Sequence, residues 1–354
     1  MATPKQDYMV ASAALRRCQH CGKPQDIVIK MLRCSRCASV IYCSKECQKG
    51  AWPVHKTTEP PPDDRAPRTR SSCRRVDEAN PDRIAKNIEA ILCGFRTADE
   101  FSQALRDFIE AHTWAFQSYA RALILMEGGA DYIHMPPKFM EVQLRSLHTP
   151  GGTRNPARTF NFVGHRWLTV AEYTSTPIGA RNWAGNAAMR EAAHRYYSGD
   201  PRFVGMLTVF FRVGEISSAK MNLYPQYRAY AASLEGLGDV MLRSLMADVL
   251  ALCTSSIEHG LALRCADGQE SIAALPGRFV RWNKLWTWEP LFTDWEQYLA
   301  GPRGIEGVNA LLNVIRTPHV TVPQLLKNIR VISQPSLLPR DGTISSQVSL
   351  AANL

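Results

Sequence analysis

Six of the ten cysteines fall between residues 18 and 47 in three close pairs, Cys18-x2-Cys21, Cys34-x2-Cys37 and Cys43-x3-Cys47, and His55 follows seven residues later. Thiolate and imidazole are the donors zinc prefers, and four of them at tetrahedral corners close a structural site. A C-x2-C pair brings two sulfurs onto one ion. Cys43 and Cys47 are four apart, the spacing that shares a helix face. Seven ligands are too many for one tetrahedral site and one short of two. The other four cysteines, Cys73, Cys93, Cys253 and Cys265, are scattered. Met1 to Leu15 lacks the apolar core of a signal peptide. Close cysteine pairs in such a chain are expected to hold metal rather than form disulfides.

Short elements must position these ligands. Ser44 is placed to cap a helix carrying Cys47, and Gly50 to end it. Pro53 suits the first turn of a second short helix bearing His55. His20, between two ligands, reads as a solvated surface residue. Beyond the array, residues 57–70 run TTEPPPDDRAPRTR, and Pro60, Pro61 and Pro62 favour an extended segment there.

The order of six cysteines followed by a histidine resembles the MYND finger. So do the neighbouring residues Tyr42-Cys43, Cys47-Gln48, Trp52 and His55-Lys56. Neither the RING nor the PHD ligand order fits. The resemblance implies a small treble-clef or cross-brace fold holding two zinc ions with interleaved ligands. Cys18, Cys21, Cys43 and Cys47 would hold one ion, and Cys34, Cys37, His55 and a final cysteine the other. The chain departs from the family at that last ligand. The family's final cysteine comes four residues after the histidine, where this chain has Glu59. Glu59 could bind through carboxylate oxygen, the site could stay open to water, or Cys73 could serve. Cys73 is preferred, because removing residues 57–70 leaves His55-Lys56-Ser71-Ser72-Cys73 and restores the ending. Loop entropy rises slowly enough with length to allow such an insertion.

Charge follows the same division. Residues 1–75 hold 15 Lys+Arg against 6 Asp+Glu, and the rest of the chain 27 against 26, so a basic head joins a neutral body. Six thiolates and two zinc ions reduce that head by about two charges. Weak, salt-sensitive attraction to nucleic acid is the most this pattern implies.

The expected domains are a leader at 1–17, the finger at 18–73, a body at 80–334 and a polar tail at 335–354. Asn80 and Pro81 open a helix with Ile84, Ile88, Ile91 and Leu92 at helical spacing. Thr97 and Glu100 form a capping box for a second helix, whose apolar stripe runs from Phe101 to Leu123 and stops at Gly128-Gly129. His112 falls on that stripe and reads as a core histidine. Strands are expected at Phe139–Leu147, with Val142 and Leu144 facing in and Glu141, Gln143 and Arg145 facing out, and at Phe160–Val170 and Phe203–Val213. A long helix covers Asp239 to His259, and shorter helices follow, among them Val322–Asn328. Trp282, Trp286, Trp288 and Trp295 suit packing better than a base-stacking platform, since Glu289, Asp294 and Glu296 interrupt the positive charge. The body is therefore α+β with more helix than strand. No stretch approaches about 18 apolar residues, so no membrane span is expected.

A closed zinc site does no chemistry; it folds a segment too small for its own core and lets it present a surface. MYND fingers take proline-rich segments in extended form, and Gln48 and Trp52 match the groove positions. Trp52 also suits the finger's small core. Lysine methyltransferases that contain this finger carry SET sequence before it and an N-H-S-C motif after it. Only 17 residues precede Cys18, and no Asn-His dipeptide occurs. No HExxH, P-loop or GxSxG motif is present either. The expectation is a nuclear or cytoplasmic zinc-binding interaction protein and not an enzyme; the alternative is an enzyme whose active site lies in the body without a recognisable motif.

Overall fold

A computed structural model of the chain describes residues 18, 20–21, 23, 31–34, 41–55, 81–129, 131–148, 154–214, 216, 219–228, 238–265, 273–282, 285–302 and 304–333. In the finger, β1 (Leu32–Arg33) pairs antiparallel with β2 (Ile41–Tyr42), and α1 (Lys45–His55) follows.

The body opens with α2 (Pro81–Leu92), and Pro81 sits at the first helical position as its fixed φ favours. Asn80 lies outside the described residues. α2 packs through Ala90, while Ile84, Ile88, Ile91 and Leu92 are exposed. The apolar stripe expected to face a core is thus on the surface.

The single helix expected from Thr97 to Gly128 is two. α3 (Ala98–Ala111) and α4 (Thr113–Met126) meet at His112, whose φ of −105° and ψ of 18° leave the helical region. Apolar spacing continues through the break, so periodicity alone hides it. Half of the expected capping box is present: the Thr97 side chain accepts from the Glu100 amide at 3.2 Å, but the Glu100 carboxylate accepts from the Arg96 amide, at 2.8 Å, instead of from Thr97. His112 is fully buried, and its Nε2 lies 3.0 Å from the Ala157 carbonyl. Burial and that bond suit a neutral ring with the proton on Nε2, and burial lowers the His112 pKa to about 4.

After the short α5 (Asp131–His134) comes a mixed sheet of β3 (Lys138–Ser146), β4 (Phe160–Thr169), β5 (Phe203–Val213) and β6 (Ala219–Tyr227). The spatial order is β4-β3-β5-β6, with β3 and β5 parallel and the outer pairs antiparallel. β6 carries Pro225 and lies at an edge, where a missing N–H costs no ladder bond. One face packs on α3 and α4, with the Phe116 and Phe211 rings 4.8 Å apart and nearly perpendicular.

The opposite face is covered too, by α6 (Val170–Thr174), α7 (Pro177–Gly185) and α8 (Ala187–Tyr197), with Tyr173 and Trp183 against Phe139 and Phe210. The alternation expected of β3 holds for Val142 and Leu144, which are buried, and for Gln143 and Arg145, which are exposed; the covering helices change only Glu141. Glu141, expected to face solvent, is buried between strands, where Arg166 reaches its Oε1 at 2.8 Å and Arg212 its Oε2 at 3.1 Å.

α9 (Asp239–Glu258) packs along α4 and stops at Gly260, whose φ of +63° favours glycine. This helix has the length and apolarity of a membrane span, contrary to expectation, yet half of its apolar window is buried inside the protein. Core packing accounts for its composition. Buried Asp248 on α9 accepts from the Arg316 and Thr317 amides at 3.0 and 2.9 Å, pinning the distant loop to the helix.

An antiparallel sheet of β7 (Ala262–Arg264), β8 (Leu275–Trp282) and β9 (Leu285–Pro290) occupies a region expected to be helical. Trp288 and Trp295 are buried, and their Nε1 groups donate to Ala262 and Ala274 carbonyls, each at 2.9 Å. Trp286 is half-buried and Trp282 is exposed. Three helices close the body: α10 (Trp295–Ala300), α11 (Glu306–Asn313) and α12 (Val322–Ser333). One contiguous cluster of buried side chains runs from Ala90 to Ile329. The residues beyond 333, like the leader, lie outside the described set.

Candidate metal centre

The Cys18 amide donates to the Lys23 carbonyl at 2.8 Å and closes the first cysteine turn. The β1–β2 pair then delivers Tyr42, and Cys43 follows directly. Ser44 Oγ accepts from the Cys47 amide at 3.2 Å, so the expected cap of α1 is present. Cys43 itself precedes the helix rather than sharing its face with Cys47.

Gly50 does not end α1 and Pro53 does not begin another helix, because α1 is continuous from Lys45 to His55. A Cβ on Gly50 would lie 2.7 Å from His20 Nε2. Gly50 therefore serves as a gap against which the exposed His20 ring rests, a contact that spacing alone does not reveal.

These elements bring Cys18, Cys21, Cys43 and Cys47 together, with all four Sγ atoms within 4.8 Å of one another. Cys43 Sγ lies 3.5 Å from Cys21 Sγ and 3.4 Å from Cys47 Sγ. Zinc–sulfur bonds of about 2.3 Å in a tetrahedron put sulfurs about 3.8 Å apart, so this set fits zinc.

The electrostatics point the same way. Burial and the hydrogen bonds of three neighbouring thiols push the Cys43 pKa far above its ordinary value, and Cys47 is raised as well, chiefly by burial. Burial also raises Cys18, but backbone contributions from Cys21, Cys43 and His20 outweigh it and leave Cys18 at about 7. Four thiolates this close need a cation among them, which Zn2+ supplies when bound.

Of the other expected ligands, Cys34 is buried beside Cys18 and Tyr42 in the finger's core. His55 ends α1, but its side chain lies outside the described residues, as do Cys37, Glu59 and Cys73. Gln48 and Trp52 sit one turn apart on α1 and are both half-buried. Trp52 packs against the Cys18–Cys34–Tyr42 cluster. Its core role is therefore real, and it is not fully buried.

Residues 18–58 match the MYND finger family. They form a zinc-binding finger of that type. The match ends one residue short of Glu59 and well before Cys73. Over 48 residues the chain is 40% identical to the MYND-type zinc finger protein samB of Aspergillus clavatus, covering 13% of this chain and 8% of that relative. The samB proteins of Emericella nidulans and Aspergillus niger are each 41% identical over 44 residues, 12% of this chain and 8% and 7% of theirs. The chain thus spans less than a tenth of the length of these curated relatives, all within the finger. No solved structure matches the chain.

Proposed function

We propose that the chain is a protein-interaction scaffold or co-regulator, nuclear or cytoplasmic, whose finger captures proline-rich segments of partner proteins. The carrying observation is the pair Gln48 and Trp52 on one face of α1, directly beside the four-cysteine cluster. Trp52 is anchored from behind by the finger's core, so its outer face is a rigid apolar plate. Proline rings stack on such plates at low entropic cost, because the extended peptide is already stiff. Gln48, one turn earlier, can donate to and accept from the peptide backbone.

In this reading the finger holds two ions in an interleaved cross-brace. Cys18, Cys21, Cys43 and Cys47 take the first, and Cys34, Cys37, His55 and Cys73 the second, with residues 57–70 as an inserted loop. Both sites are closed, so the zinc shapes the finger and does no catalysis. The body is read as non-catalytic, and any contact of the basic head with nucleic acid as weak and salt-sensitive.

The test is fluorescence titration of the full chain and of Trp52→Ala with a polyproline-rich peptide, with zinc content measured in parallel. Lost peptide binding at unchanged zinc content supports the groove. Loss of zinc from the variant would make Trp52 a core residue only and remove the support for capture.

A further inference from the structure

The body contains a cavity of about 420 Å³ between the C-terminal end of α4 (Thr113–Met126), the end of β6 (Ala219–Tyr227) and the start of α9 (Asp239–Glu258). That volume is within the range of small-molecule sites, about 300–1,000 Å³. Arg121, Arg228 and Arg243 line it, against one carboxylate, Asp239.

Arg121 is the informative residue. It is only 4% exposed, and no group among the described residues accepts from its Nε. It forms no ion pair among those residues, nor do Arg228 and Arg243. A guanidinium without a counter-ion is among the costliest groups to bury. Burial, and then the nearby Arg202, lower its pKa to about 10, so it remains a cation at neutral pH. Buried beside it, the Tyr227 hydroxyl also lacks a partner among the described residues.

The helix that forms the third wall adds positive potential. α9 is 20 residues long, and its N-cap Gly238 supplies no side-chain hydrogen bond. Its first-turn amides therefore have no side-chain acceptor at the cap, and the positive end of the helix dipole lies at the cavity. Leu125, Met126 and Leu242 make the remaining wall apolar.

We propose that this cavity binds a phosphate-bearing small molecule, the phosphate held by Arg121, Arg228, Arg243 and the α9 N-terminus and an apolar portion lying on Leu125, Met126 and Leu242. Three guanidiniums and a helix N-terminus exceed what a single carboxylate needs. A dianion with several acceptor oxygens satisfies them together, and arginine suits phosphate through bidentate bonds. The cavity's size and apolar wall favour an ester over the free ion.

The test is thermal unfolding and calorimetric titration of the full chain with phenyl phosphate, inorganic phosphate and potassium chloride at matched ionic strength. Phenyl phosphate should bind saturably and about tenfold or more tightly than inorganic phosphate. Arg243 is exposed, so Arg243→Ala should fold normally yet weaken phenyl phosphate about tenfold or more, the value of a charged hydrogen bond. Arg121→Met should abolish binding. A response to phenyl phosphate no larger than to chloride would overturn the proposal. So would undiminished binding by Arg243→Ala. Inorganic phosphate binding as tightly as the ester would instead make this a site for the free ion.

Discussion

Cys21 and Cys43 are 22 positions apart, yet their Sγ atoms lie 3.5 Å from each other. No local spacing rule joins them; the β1–β2 pair and the Ser44-capped start of α1 do. Replacing Cys21 by Ser should therefore cost the first ion while the second site keeps its own ligands, since structural zinc contributes roughly 10–16 kcal/mol of apparent folding free energy. Native mass spectrometry should show two zincs on the wild-type chain and one on Cys21→Ser. A wild-type chain carrying one ion would refute the two-site arrangement.

The ligand types were legible because zinc chemistry limits them severely and the array is compact. Three of the four strands of the mixed sheet were legible for a related reason: Phe139–Leu147, Phe160–Val170 and Phe203–Val213 are dense in apolar residues, aromatics among them. What was hidden depends on tertiary context. The break at His112 lies inside an unbroken apolar stripe. Glu141 reads as an outward residue until α6 to α8 cover that face. β6, with its internal Pro225, does not read as a strand until it is seen at an edge. Arg121 sits within an otherwise core-like helix, and nothing in the sequence marks it as lacking a counter-ion among the described residues.

Glu141 joins Arg166 on β4 to Arg212 on β5, and is itself 2% exposed. Glu141→Ala removes the shared acceptor and leaves two cations beside each other. The arginines are partly solvated, so the cost should fall somewhat below the usual loss for a buried pair, at roughly 2–3 kcal/mol. Urea unfolding followed by tryptophan fluorescence reads it, and a change under about 0.5 kcal/mol would mean the network is energetically idle.

His112 makes stability depend on pH in a predictable direction. Its folded pKa of about 4 lies below the unfolded value of about 6.5, so the unfolded chain binds the extra proton between these limits. Its contribution is whole above pH 6.5 and is lost as pH falls through the range toward 4. The span corresponds to at most about 3.4 kcal/mol. His112→Gln should be less stable at pH 7 but lose less on acidification. Zinc release affects both proteins alike, so the difference between their unfolding curves isolates the histidine. Parallel curves from pH 7 to 4 would rule this out.

The eighth zinc ligand is where the chain parts from the MYND pattern. The family match ends at residue 58, so neither Glu59 nor Cys73 is covered by it. If Cys73 completes the second site, residues 57–70 form a loop pinned by metal at both ends and contribute no ligand. Removing them should leave two zincs bound and a finger at least as stable, because less chain is closed into a loop. Cys73→Ser should lose or strongly weaken the second ion, since serine offers no thiolate, while Glu59→Ala should change little. Zinc titration with a chromogenic chelator, run on the full chain and the three variants, separates the cases. Damage from Glu59→Ala with Cys73→Ser silent would put the carboxylate on the metal. Full zinc retention by both variants would leave three protein ligands and a water on the second ion, and a water so held is acidified to near neutral pH. The finger would then have the one component of hydrolytic chemistry that a closed site lacks, and the enzyme reading would be open again.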